Sequence, residues 1–204
     1  AAAMRAGKHV YCEKPLTHDV AEARALREIA RKQGVVTQMG NQGTATEAFR
    51  RAVELIQAGS IGAIKELHVW DGGGTGPRKL PEGSRPVPEE LDWDLWLGPA
   101  AWRPFHPQWL QWHGWRDFAT GNAGNWGPHS ANLPFKAFKI DSLWYADPAT
   151  GPRIRVHVEM SETERVGFPR WASIRYELPA RGELPPIEFN HYYGAPGGRK
   201  RVEE

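Results

Sequence analysis

The stretch Val10-Tyr11-Cys12-Glu13-Lys14-Pro15 decides the fold, because a predicted buried strand ends there on a charged pair and a proline. A lysine fixed at a strand's carboxyl end, with the chain then turned by Pro15, is a reactive cation placed where open α/β sheets bind their ligands. Before this strand lie Ala1 to Ala6, which read as the last turns of a helix, and Gly7 as its stop. A sheet of strand–helix–strand units does not ordinarily begin on its last strands. The chain is therefore expected to be a fragment or a truncated product, and its final strands to continue beyond Glu204 in a complete relative.

Working outward, Thr17 can cap a helix over 18–33, with Val20, Ala23, Leu26 or Arg27, and Ala30 at helical spacing and Gly34 as a left-handed stop. Residues 35–39 (Val-Val-Thr-Gln-Met) then read as a short parallel strand, apolar enough to be buried. Strand, crossover helix and strand make one βαβ unit, the closing unit of a doubly wound sheet. Thr46 starts a second helix that carries Phe49, Val53 and Ile56 on one stripe and ends at Gly59. A strand over 64–71 and a helix over 130–139 follow, then strands over 142–147, 154–161, 171–178 and 186–193. The polar–apolar alternation of Arg153-Ile154-Arg155-Val156-His157-Val158 marks an antiparallel sheet with one wet face. The domain boundary is placed near Gly43, giving a dinucleotide-domain part over 1–43 and an α+β domain over 44–204, incomplete at its end.

Composition narrows the function. The 204 residues carry a net charge of +2 with acids and bases interspersed, so nothing demands nucleic acid. Arg199-Lys200-Arg201 reads as a solvated tail. One cysteine forbids an internal disulfide and fits a reducing, cytoplasmic setting. No apolar run approaches the ~18 residues of a membrane span. Glycines and prolines, 22 and 17 of them, cluster over 72–128 together with seven of the ten tryptophans. Disordered segments are poor in aromatics, so this excursion is expected to be ordered loops.

The charged strand end is followed, in order, by Gln38-Met39-Gly40-Asn41-Gln42, Trp96-Leu97-Gly98-Pro99, and Trp115-Arg116-Asp117-Phe118 leading into Gly127-Pro128-His129. With Gly7 to Leu16, this series resembles the glucose–fructose oxidoreductase/inositol dehydrogenase (Gfo/Idh/MocA) family of nicotinamide-dependent sugar oxidoreductases. The resemblance spans about three quarters of the chain and thins after Ile140. It implies a C-terminal remnant of a doubly wound Rossmann domain, followed by an α+β domain with a large, mostly antiparallel open sheet. It also implies NAD or NADP as cofactor, met by Glu13, Lys14, Pro15, Asn41 and Gln42, a carbohydrate substrate, and self-association through the C-terminal sheet. Lys14 would steady an alkoxide beside the nicotinamide, and the Lys14–Pro15 peptide would be cis. His129 would exchange the hydroxyl proton, an imidazole being suited to that at neutral pH.

Two departures stand out. Where the family has an aspartate four residues before this histidine, on the same face of one helical turn, the chain has Asn125; where an acid often follows three residues later, it has Asn132. An amide can orient an imidazole but cannot stabilise an imidazolium by charge. Asn125 is therefore expected as the orienter of His129, with Arg116, Trp115 and Asn132 as substrate contacts. Arg116 could equally be paired with Asp117 or stacked on Trp112. One or two tryptophans could carry a sugar face, the rest being core. No two of the eight histidines have the i, i+4 spacing of a helical zinc pair, so no metal is expected; His157 and His191 read as ordinary sheet residues. The glycine fingerprint G-x-G-x-x-G is nowhere in the 204 residues. The most economical function is a sugar or polyol dehydrogenase in full-length form, the chain alone being inactive. A non-redox member, holding NAD for glycoside elimination or hydrolysis or simply binding a sugar, is the alternative.

Overall fold

The structure, a computed structural model, describes residues 1–194 except Pro148; Arg199-Lys200-Arg201 lies outside them. A short helix α1 (Ala2–Arg5) leads into β1 (Val10–Glu13), α2 (Val20–Gln33) and β2 (Thr37–Gly40), and β1 pairs with β2 in parallel. The predicted βαβ unit is present. Gly34 takes the left-handed C-cap conformation at φ 63°. The N-cap differs from expectation: Asp19, not Thr17, accepts from the Glu22 N–H (2.8 Å), while the Glu22 carboxylate accepts from the His18 N–H (2.7 Å). This reciprocal capping box satisfies two orphan donors where a lone Thr17 would satisfy one. The expected burial of the strands is not seen. Tyr11 and Val36 stand exposed because the sheet has two strands and α1 and α2 cover it only loosely, leaving an apolar groove of about 330 Å³.

The second unit begins with α3 (Glu47–Gln57), capped by the Thr46 hydroxyl. Its sheet runs in the order β3 (Glu66–Asp71), β6 (Ile187–Tyr193), β5 (Ala172–Leu178), β4 (Arg155–Met160); β3 and β6 are parallel and the other two pairings antiparallel. Strand parity sorts the side chains. Leu67, Val69, Leu178, Ile187 and Phe189 turn inward against α3 and α7 (Asn132–Ala137), building a core with Val53, Ala137, Phe138 and Ile140. His68, Arg175, Glu188 and Asn190 turn outward and line a polar face. Residues 140–145 are 3₁₀ helix rather than the strand expected over 142–147. Lys139, at φ 50°, turns the chain so that Ile140 drops into the core instead of pairing along an edge. The helix expected over 130–139 is broken into α6 (Gly127–Ser130) and α7.

The tryptophan-rich excursion is ordered and has its own small core. Trp93 and Leu97 of α4 (Trp93–Leu97) pack with Phe105, Trp109 and Trp115. Each buried indole N–H finds a carbonyl: Trp93 donates to Arg103 (2.8 Å), Trp109 to Pro104 (3.3 Å) and Trp115 to Gln108 (2.8 Å). The Arg103 guanidinium lies over the Trp109 and Phe118 rings and pairs with Asp117. Large aromatic areas buried with their polar atoms satisfied give loops the rigidity that periodic structure gives elsewhere. No described helix is long and apolar enough to cross a membrane.

Candidate functional site

The carboxyl ends of β1 and β2 meet one turn of the second unit. Lys14 continues β1, its N–H donating to the Gly40 carbonyl (3.1 Å), and the Lys14–Pro15 peptide is cis, as expected from the resemblance. Its ammonium crosses to α5 (Gly121–Asn125) and donates to both the Asn125 carbonyl (2.8 Å) and the Asn125 side-chain Oδ1 (2.6 Å). From the end of β2, the Asn41 amide donates to the Pro128 carbonyl (2.5 Å). Two strand ends thus grip the turn over 125–128.

The local sequence makes that grip possible. Helix α5 stops at Trp126, and α6 restarts with Gly127 and Pro128. In an unbroken helix the His129 N–H would bond the Asn125 carbonyl; here it bonds Trp126 instead (2.8 Å). The freed Asn125 carbonyl becomes an acceptor for Lys14. Asn125 and His129 therefore do not share one helical turn, and Asn125 Oδ1 engages Lys14 rather than serving as the expected orienter of an imidazole. His129 lies against Trp126, ring centroids 5.9 Å apart.

Beneath the turn is a buried pair that sequence reasoning missed. His191 Nε2 lies 2.6 Å from Asp71 Oδ2, with 4% and 2% of the side chains exposed. A Cβ on Gly127 would come within 3.3 Å of the His191 ring, so the pair forms the floor on which α6 starts. His191 lies on β6, as expected of a sheet residue, and its buried pairing with Asp71 is what the sequence reading did not include. Asp71 and His191 share the strand parity of Val69 and Phe189, and polar residues at inward positions were the available signal. His157 pairs on the outward face with Glu177 (2.8 Å).

Pro15, Trp112, His113, Thr120, Asn122 and Trp126, with the Asn125 that holds Lys14, line a cavity of about 190 Å³. Trp112 and Trp126 are 38% and 52% exposed. A larger open cleft of about 700 Å³ runs along the other side of Trp112, between His18 and Trp96–Ala101. It is wider but lacks Pro15 and Asn125 in its lining. The smaller cavity holds the polar groups that chemistry needs. Asn41 Oδ1, Arg78 Nε and Thr120 Oγ1 are buried without a hydrogen-bond partner among the described residues. Such orphans are rare in folded chains and point to an absent partner. Partial burial, and secondarily the Lys14 ammonium, hold the His113 imidazole below its usual pKa range.

The other expected site residues fall differently. Trp115 is corrected: with 1% of its surface exposed it is core and cannot touch a substrate. Arg116 is paired with neither Asp117 nor Trp112. Its guanidinium lies over Phe168 (5.1 Å), and its carbonyl accepts from His18 Nε2 (2.6 Å). Glu13 and Gln42 are exposed, and Asn132 is half-buried at the start of α7.

Comparison with known proteins matches this architecture. The family described as "Oxidoreductase family, NAD-binding Rossmann fold" matches residues 1–41, and its "C-terminal alpha/beta domain" matches residues 65–179. A dTDP-3,4-didehydro-2,6-dideoxy-alpha-D-glucose 3-reductase from Streptomyces violaceoruber is 38% identical over 65 residues, 32% of this chain and 19% of that protein. A 1,5-anhydro-D-fructose reductase from Ensifer adhaerens is 43% identical over 61 residues, 30% of this chain and 18% of that one. Among solved structures, an inositol dehydrogenase homolog complexed with NAD+ from Azotobacter vinelandii superposes with a TM-score of 0.56 at 18% identity, covering 97% of this chain and 42% of its own. The chain thus spans less than half the length of each of these relatives.

Proposed function

The chain belongs to the Gfo/Idh/MocA oxidoreductase family, and on that premise we propose that its full-length form transfers hydride between a nicotinamide dinucleotide and a hydroxyl carbon of a sugar or polyol. The observation that carries the reading is the Lys14 ammonium, held by both oxygens of Asn125 at a cavity walled by two exposed indoles. A cation fixed in that way can stabilise an alkoxide as it forms, at no cost of reorganisation. Indole faces suit the C–H faces of carbohydrates, which narrows the stacking residues to Trp112 and Trp126. His129 is the proton-exchanging group that the family resemblance names.

The residues at the strand ends fit the dinucleotide. Asn41 Oδ1, buried and unpartnered, is an acceptor that a carboxamide N–H or a ribose O–H would satisfy; Glu13, Pro15 and Gln42 are the other strand-end residues that the family resemblance assigns to the cofactor. When bound, the dinucleotide supplies the hydride acceptor. The chain's own groups position the hydroxyl, stabilise its oxygen and exchange its proton. The outward sheet face, with Trp70 exposed beside polar His68 and Asn190, supports self-association. The single exposed thiol, Cys12, suits the reducing cytoplasm.

The test is Lys14→Ala in the full-length protein, assayed with NAD and NADP against a sugar and polyol panel. Loss of one preorganised charge-stabilising group should lower kcat by about 10²–10³, with the melting temperature and near-UV spectrum kept. Turnover within about threefold of the parent would refute the assignment.

A further inference from the structure

We propose that the sugar taken by this site carries a negatively charged substituent, a carboxylate of the kind found in hexuronates and aldonates, selected by the uncompensated positive charge around the cavity. The proposal rests on the oxidoreductase reading above and names the class of its substrate.

Three observations converge on an anion. The first is that the Lys14 ammonium has only neutral partners. Two of its three N–H donors go to the carbonyl and Oδ1 of Asn125, an amide where the resemblance leads one to expect an acid, and Asn132 is a second such amide. The second is the company it keeps. The Arg78 guanidinium donates to the Gln111 side chain (2.7 Å) and lies against Gly114, the neighbour of His113. The Arg116 guanidinium covers Phe168, whose ring crowds the place that a Cβ would take on Gly121. None of these three cations has a carboxylate partner among the described residues. The third is the cavity wall. His113, Gly121 and Asn125 belong to its lining, and no aspartate or glutamate does.

The acids nearby are committed elsewhere. Asp117 pairs with Arg103, Asp71 is buried against His191, Glu22 caps α2, and Glu13 is exposed. A cleft whose charges share one sign focuses their field on what enters it. That field reaches the wall: partial burial first, and the Lys14 charge second, hold the His113 imidazole below its usual pKa range. Neutral donors serve for direct contact. Gly73 lines the cavity, its N–H has no backbone partner among the described residues, and the place of a Cβ on it is open, so a carboxylate oxygen can approach the backbone there. The Asn122 amide is in the same wall, its bond to the Gly72 carbonyl long at 3.4 Å. The third N–H of Lys14 is then left for the reacting oxygen. At about 190 Å³ the cavity is smaller than the ~300–1,000 Å³ of drug-sized sites, which suits a single sugar acid.

Two measurements on the full-length protein decide it. In steady-state assays of D-glucuronate against D-glucose, D-galacturonate against D-galactose and D-gluconate against D-glucitol, at least one acid should exceed its neutral counterpart in kcat/KM by about tenfold or more at low ionic strength. Salt at about 1 M, where the Debye length is ~3 Å, should shrink that ratio severalfold. Asn125→Asp, which sets a carboxylate on the ammonium, should lower the same ratio by about tenfold whatever it does to turnover. Independently of turnover, titrations followed by tryptophan fluorescence should show Lys14→Met losing affinity for the preferred acid about tenfold further than for its neutral counterpart. D-glucose 6-phosphate is the second anion: if it outperforms every carboxylate, the charge is a phosphate and the carboxylate assignment is overturned. If neutral sugars are turned over as well as acids, and neither salt nor Asn125→Asp moves the ratio, the anion assignment fails and the oxidoreductase reading stands. If no sugar, neutral or charged, is oxidised with NAD or NADP while an acid binds in a Lys14-dependent way, the anion assignment stands and the oxidoreductase reading fails.

Discussion

Replacing His191 with leucine removes the partner of a carboxylate whose side chain is 2% exposed and 2.6 Å from the ring. Leucine fills much of the imidazole's space, so the cavity term is small and the cost is that of leaving Asp71 buried without its hydrogen-bond donor. Breaking a buried pair from one side typically costs about 3–5 kcal/mol. For a chain of this size each kcal/mol lowers Tm by about 2–4 °C, so a fall of roughly 6–20 °C is expected. Urea and thermal unfolding followed by tryptophan fluorescence provide the readout. Adding Asp71→Asn to His191→Leu should recover at least about 1 kcal/mol, because a buried neutral amide is less costly to leave unpaired than a charge. The Asp71→Asn single variant should cost less than His191→Leu. A loss below about 0.5 kcal/mol for His191→Leu, or no recovery in the double variant, would show that the pair does not hold β3, β6 and the start of α6 together.

Two further outcomes follow from the site. Asn125→Asp puts a carboxylate on the Lys14 ammonium, at the position four residues before His129 where the family resemblance expects the charge that stabilises an imidazolium; full-length turnover should rise severalfold in steady-state assays, and no gain would favour the non-redox reading. The 204-residue chain alone should bind NAD(H) more weakly than about 1 mM, since it has no glycine fingerprint and hence no pyrophosphate-cradling turn; micromolar affinity by calorimetry would overturn this.

Legibility followed sequence distance. The βαβ unit was readable because Gly34 and the helical spacing of 20–33 are local signals, and Thr46 declared its helix by the same chemistry. Asp19 was the better cap and was equally readable, three residues ahead of Glu22. The turn over 140–145 was not, because Ser-Leu-Trp-Tyr is strand-prone in isolation and only the left-handed Lys139 and the docking of Ile140 overrule it. Trp112 and Trp115 illustrate the same limit at the site. They are three residues apart, and composition alone cannot say that one is the most buried ring in its core and the other a cavity wall.

The position of Lys14 itself was legible, but its hold was not, since it depends on an acceptor 111 residues away that exists only because a helix breaks. Gly127 and Pro128 interrupt the run from α5 to α6, the His129 N–H moves to Trp126, and the Asn125 carbonyl is left for the ammonium. Asn41 takes the next free carbonyl of that turn, at Pro128. The same two residues that end a helix thereby create two of the acceptors by which the two units are joined. A substitution that restored helical continuity, such as Pro128→Ala, would return an amide donor at 128 and favour regular bonding across the break. The cost would appear in the hold on Lys14 before it appeared in the stability of the second unit, because that unit keeps its own cores whether or not the grip is made.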